Sequence, residues 1–232
     1  MLLPLQGRNI AYDLVGPDTA PTVCITHSLA SDGGSDPAAG DYTMQALAGD
    51  VATVLDALAI PRVHYIGLSI GGMIGQAFAI EHGAKLISAM WCDTLPASPS
   101  GAKAAWDECM GIVRKANSLE PIADATMERW FTPNFGDWVR WRNALEETPR
   151  EGYAACCDAI RDWDFGADLG RIQAPTLVVV GDEDPATPPD DARRIADGIP
   201  GAKLVVVSQA RHLVNVEQPE AFTAAVLDHL LA

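Results

Sequence analysis

The chain has 232 residues, 48% hydrophobic and 20% charged, a length that fits one large domain or two small ones. Sixteen Lys and Arg against 31 Asp and Glu leave a net charge of −15, a surface that repels phosphate backbones and argues against a nucleic-acid partner. The five cysteines (Cys24, Cys92, Cys109, Cys156, Cys157) are odd in number and lack metal-ligand spacing, and no apolar stretch reaches the ~20 residues that span a bilayer.

In chain order, Met1-Leu-Leu-Pro4 lacks the basic start of a secretory leader, so the expectation is a soluble, cytoplasmic protein without structural disulfides. Thr22-Val-Cys-Ile-Thr-His27, after the turn formers Pro17, Asp18 and Pro21, reads as a strand. Thr43 to Leu58 carries apolar residues at helical spacing. Val63-His-Tyr-Ile-Gly67 reads as a strand, Gly72 to Glu81 as a helix, and Leu86 to Trp91 as a strand. From Leu95 to Arg171 there is no strong strand; the stretch reads as several short helices and holds four of the six tryptophans (Trp106, Trp130, Trp138, Trp141), a fifth, Trp163, near its end, and nine of the sixteen basic residues. This segment reads as a helical lid over a sheet, or as an ordinary helical subdomain. Thr176 to Val180 and Leu204 to Val207 are continuously apolar, as in parallel strands buried on both faces, and Pro219 to Leu231 is an amphipathic helix. The expected class is α/β, a mostly parallel sheet with flanking helices, its core formed by residues 1–94 and 172–232 around a lid at 95–171.

The strongest chemical signal is Gly67-Leu-Ser-Ile-Gly-Gly72, entered by a strand and left by a helix. That context is a nucleophile elbow, in which a strained turn lifts Ser69 clear of the sheet. A P-loop is excluded because no Gly-Lys-Ser/Thr follows, and a structural glycine turn is the plainer alternative. A serine hydroxyl needs a base. His212 follows the strand ending at Val207 through a short polar loop, which places it at the same carboxyl edge as Ser69. His82 and His229 fall in helical patterns and His64 in a strand, and His27 ends a strand near the site. The carboxylate that would orient His212 is one of Asp182, Glu183 and Asp184; spacing does not choose among them, and Asp93 after Trp91 is a rival. The order Ser, Asp, His is that of α/β-hydrolases.

Four segments, His27-Ser-Leu-Ala-Ser31, Gly67-Leu-Ser-Ile-Gly-Gly72, Gly181-Asp-Glu-Asp-Pro-Ala-Thr-Pro188 and His212-Leu-Val-Asn-Val-Glu-Gln-Pro219, resemble the 3-oxoadipate enol-lactonases of the α/β-hydrolase superfamily. Glu128-Arg-Trp-Phe-Thr-Pro133 and Glu151-Gly-Tyr-Ala-Ala-Cys-Cys-Asp-Ala-Ile160 are similar to that family's cap segments. The resemblance implies Asp184 as the acid and the backbone N–H groups of Leu29 and Ile70 as the oxyanion hole. It has one break. Where the family continues into a helix and a further strand, Ser31-Asp32 runs straight into Gly33-Gly34-Ser35 and Asp36-Pro-Ala-Ala-Gly40. Roughly thirty residues, about one βαβ unit, are absent by this comparison, through an excision, natural or deliberate, or in a naturally brief loop. A strand at Arg8–Leu14 is then expected to pair with Thr22–His27 as an antiparallel hairpin through Val15–Pro21.

The resemblance implies hydrolysis of a small anionic lactone to 3-oxoadipate, with no metal or organic cofactor. An anionic substrate in so acidic a protein needs a local cation, for which Arg129, Arg140, Arg142 and Arg161 are candidates, with Trp130 as an apolar wall. The alternatives are a general esterase, a cofactor-free perhydrolase, or a shortened scaffold without catalysis. Oligomeric state is not readable from the sequence.

Overall fold

The structure is a computed structural model that describes residues 1–5, 8–17, 20–27, 29, 34–36 and 42–232. Two short strands, β1 (Leu2–Leu5) and β2 (Arg8–Ala11), pair antiparallel. The main sheet is parallel throughout: β3 (Val23–Thr26), β4 (Val63–Leu68), β5 (Leu86–Cys92), β6 (Thr176–Gly181) and β7 (Lys203–Val207) lie side by side in chain order.

Helix α1 (Met44–Ala57) connects β3 to β4, and Thr43 caps it by accepting the Ala46 N–H at 3.0 Å. Helix α2 (Ile70–His82) connects β4 to β5. Between β5 and β6 lie α3 (Ala102–Ala116), α4 (Glu120–Trp130), α5 (Val139–Glu147) and α6 (Arg150–Ile160). Helix α7 (Pro189–Gly198) links β6 to β7; the one-turn α8 (Val214–Glu217) and α9 (Pro219–Leu230) finish the chain. Proline at the first position of α7 and α9 costs nothing, because the N–H it lacks has no helical partner there.

Alternation along the strands builds two cores. Tyr65, Trp91, Val178 and Val180 face α1, α2 and α7, whereas Ile66, Met90, Leu177 and Val179 face α9 through Phe222 and Val226. Every residue of β6 is buried, as its continuous apolar run implies. Strand β7 departs from the same expectation: it is the edge of the sheet, and Val206 is 42% exposed.

The expected hairpin between the first strand and Val23–Thr26 does not form. β2 pairs only with β1, while β3 belongs to the other sheet and pairs only with β4. The reason is visible at the outer edge of β2. Asn9 donates its N–H and its side-chain Nδ2 to the Asp36 carboxylate, Ala11 N–H donates to Ser35 Oγ, and Asp36 N–H donates to Asn9 O. Ser35 and Asp36 of the short junction thus take the edge that β3 would have used, and Ile25 of β3 is left 70% exposed. Of that junction, Gly34, Ser35 and Asp36 are described; Ser28, Ala30, Ser31, Asp32, Gly33 and 37–41 lie outside the described residues, as does Asp18 of the expected turn.

Candidate active site

Ser69 sits between the end of β4 and the start of α2 with φ 56° and ψ −120°, a left-handed backbone that a side-chain-bearing residue adopts only under constraint. The constraint is glycine on both sides. A Cβ on Gly67 would stand 2.3 Å from Gly71 O, and one on Gly71 would stand 2.3 Å from Thr26 O in β3. The turn is pinned from β5: Ser69 N–H donates to Cys92 O at 2.9 Å, and Thr94 Oγ1 donates to Ser69 O at 2.8 Å.

Ser69 Oγ lies 2.9 Å from His212 Nε2, and His212 Nδ1 lies 2.9 Å from Asp184 Oδ2. All three residues are buried, with exposures of 7%, 4% and 3%. A carboxylate only accepts, so the imidazole carries its proton on Nδ1 and leaves Nε2 free to accept the serine proton. Asp184 is itself held: Oδ1 accepts the N–H groups of Ala186 (2.7 Å) and Thr187 (3.1 Å), and Oδ2 accepts the Thr187 hydroxyl. Burial pushes its carboxyl up, but the charge and hydrogen bond of His212 and the bonds from Thr187 outweigh that and hold it below the usual range.

Asp182 and Glu183 are exposed and make no bond to His212, so Asp184 is the carboxylate of that loop that reaches the imidazole. Asp93 is fully buried nearby but accepts from backbone, from Gly181 N–H at 3.0 Å and Val214 N–H at 3.2 Å. Burial and the neighbouring Asp184 charge push its carboxyl well above the ordinary value. Two buried acids, one bonded to the imidazole and one to the backbone of the same loop, are therefore driven in opposite directions by their surroundings.

Ile70 is the first residue of α2, so its N–H has no partner inside the helix and lies at the positive end of the helix dipole. Leu29 packs against both the sheet core and the helical insert, and with Ile70 it lines a cavity of about 720 Å³ that also reaches Cys24, Val51, Ile74 and Tyr153. The Trp130 ring stacks over His212 with centroids 6.4 Å apart. Arg140, Arg142 and Arg161 are committed elsewhere. Arg140 lies over Trp141 and 4.0 Å from Asp137; Arg142 pairs with Asp124 and Glu146; Arg161 pairs with Asp107 and Asp158. Arg129 makes no ion pair with a described residue, and with Arg211 it lines a second cavity, about 620 Å³, between α3 and α4. Of the remaining histidines, His64 bonds Ser88, His82 packs on Phe78, His229 lies on α9, and His27 lines the larger cavity.

Three contributors were not singled out from sequence. Thr187 and Thr94 carry no pattern that separates them from other threonines. Glu217 ties the insert to the histidine loop, accepting Thr132 N–H (2.8 Å) and Oγ1 (2.6 Å) on one oxygen and Arg211 N–H (2.7 Å) on the other. All five cysteines are unpaired thiols, and among the described residues no helix is long and apolar enough to cross a membrane.

The model of the alpha/beta hydrolase family matches residues 5–225. 3-Oxoadipate enol-lactonase 2 of Acinetobacter baylyi is 35% identical over 207 residues, covering 87% of this chain and 76% of that protein. 3-Oxoadipate enol-lactonase 1 of the same organism is 28% identical over an alignment of 251 residues, covering 96% of this chain and 93% of that protein. The crystal structure of the enol-lactonase from Burkholderia xenovorans LB400 superposes with a TM-score of 0.92 at 29% identity, over 100% of both chains. The chain therefore belongs to the alpha/beta hydrolase family, on its 3-oxoadipate enol-lactonase branch.

Proposed function

We propose that the protein hydrolyses a carboxylic ester or lactone through an acyl-enzyme on Ser69, with 3-oxoadipate enol-lactone as the substrate. The observation that carries this is the continuous Ser69 Oγ–His212 Nε2 and His212 Nδ1–Asp184 Oδ2 pair of contacts, both 2.9 Å. His212 takes the Ser69 proton as Oγ attacks the lactone carbonyl, and the resulting imidazolium is stabilised by Asp184. The negative oxygen is received by the N–H groups of Ile70 and Leu29. Collapse of the tetrahedral species breaks the ring C–O bond, and His212 returns its proton to the departing enol oxygen. Water, deprotonated by His212, then cleaves the acyl-serine bond, and the released enol tautomerises to the 3-oxo acid. One water is consumed per turnover.

Of the four arginines considered in the insert, Arg129 is the one without an ion pair to a described residue, but it lines the cavity between α3 and α4 rather than the one beside Leu29 and Ile70, so the partner of the lactone's remaining carboxylate is left unassigned. The alignment of 251 residues is longer than the whole 232-residue chain, so that relative holds residues with no counterpart here. This supports reading the junction near Asp32–Asp36 as a deletion that opens the cavity beside Leu29. A direct assay of ring opening tests the reading. Turnover of the enol-lactone that disappears in Ser69→Ala supports it; turnover of simple acyl esters with none of the enol-lactone replaces it with a general esterase.

A further inference from the structure

Resting on the triad reading above, we propose that Asp93, with its neighbour Thr94, is a positioning residue that locks the three catalytic loops together from the end of β5. Neither residue touches the reacting atoms. Asp93 Oδ1 holds Gly181 N–H, at the end of β6 and three residues before Asp184. Its Oδ2 holds Val214 N–H, two residues after His212. Thr94 Oγ1 holds the carbonyl of Ser69, and Cys92 O holds the Ser69 N–H. Three consecutive residues thus bond to the loops of the nucleophile, the acid and the base.

The cost of this arrangement argues that it does more than fill space. Asp93 has φ 42°, in the left-handed region, is 0% exposed, and its carboxyl group lies in the same buried zone as Asp184. A second buried acid beside the triad carries a desolvation cost that a neutral apolar residue would avoid. Backbone bonds already join the acid and base loops, from Asp182 N–H to Val207 O (2.9 Å) and Glu183 N–H to Ala210 O (3.0 Å). These lie on the strand side of His212. Asp93 adds the anchor on its helix side, so the backbone that carries His212 is held on both sides.

The test uses the full chain. Asp93→Asn keeps the shape, but its amide NH₂ must face either the Gly181 or the Val214 N–H, so one anchor is lost. The expected result is a fall in kcat of about 10- to 100-fold with KM changed less than ~3-fold. The rate of fluorophosphonate labelling at Ser69 falls in the same proportion, and the downfield proton resonance of His212 Nδ1–H shifts or broadens. Thr94→Val lowers the labelling rate and Thr94→Ser restores it, a pair that stands if Asp93→Asn fails to fold. Unchanged kcat and labelling in folded Asp93→Asn, or equal labelling of the two Thr94 variants, overturns the proposal alone. Absence of labelling in the unsubstituted protein overturns the triad reading and this proposal together.

Discussion

His212 Nε2 meets Ser69 Oγ at 2.9 Å although 143 residues separate them in the chain. The sheet accounts for the meeting. Ser69 leaves β4, Asp184 follows β6 and His212 follows β7, and because these strands are parallel their carboxyl ends share one edge. β5 lies between the strand that leads to Ser69 and the strand that leads to Asp184, so its own end, Cys92 to Thr94, touches both sides of the site.

Asp184 sets the tautomer of His212, so Asp184→Asn should lower kcat by roughly 10⁴-fold, the scale seen when a triad carboxylate becomes an amide that can present the wrong hydrogen-bonding group. Steady-state kinetics on any hydrolysed ester measure it. A larger loss from Asp93→Asn would move the acid to the end of β5.

Gly71 approaches the Thr26 carbonyl so closely that Gly71→Ala must push α2 away from β3. The variant should lose several kcal/mol of stability, at the upper end of single substitutions, together with its activity. Urea unfolding gives the first and an ester assay the second; a variant of ordinary stability would mean that the elbow is not held by this contact.

Much of the fold was legible because its signals are local. Val63–Leu68, Leu86–Cys92 and Thr176–Gly181 are apolar runs of strand length, and Thr43 caps α1 where helical spacing begins. Helix α7 went unread although Pro189 at its first position, with Asp190 and Asp191 in the first turn, marks a helix start; the acidic, Pro-rich run before it reads as loop. The antiparallel hairpin failed for a non-local reason: Ser35 and Asp36 compete for the edge of β2, and strand pattern does not reveal such a competitor. At the site, Ser69 and His212 were marked by their turns and by chain order. The choice of Asp184 over Asp182 and Glu183 rested on resemblance, since only three-dimensional placement separates the buried carboxylate from the two exposed ones. Thr187, Thr94 and Glu217 act through single hydrogen bonds that leave no sequence pattern.

Asp184 also predicts how stability responds to acid. Its carboxyl is held below the ordinary 3.8 in the folded state, so its contribution is complete above 3.8 and is lost as pH falls through the folded value. Unfolding free energies of the protein and of Asp184→Asn should differ most near neutral pH and converge below 3.8. A gap that widens on acidification would show that Asp184 is not stabilised as a carboxylate.

The central claim is that Ser69 is an activated nucleophile. Treating the protein with a fluorophosphonate and mapping the adduct by peptide mass spectrometry tests it without knowledge of the substrate. The account predicts one covalent adduct on Ser69, with labelling lost in Ser69→Ala and reduced by several orders of magnitude in His212→Ala. A folded protein left unlabelled, or labelled equally well without His212, would contradict it.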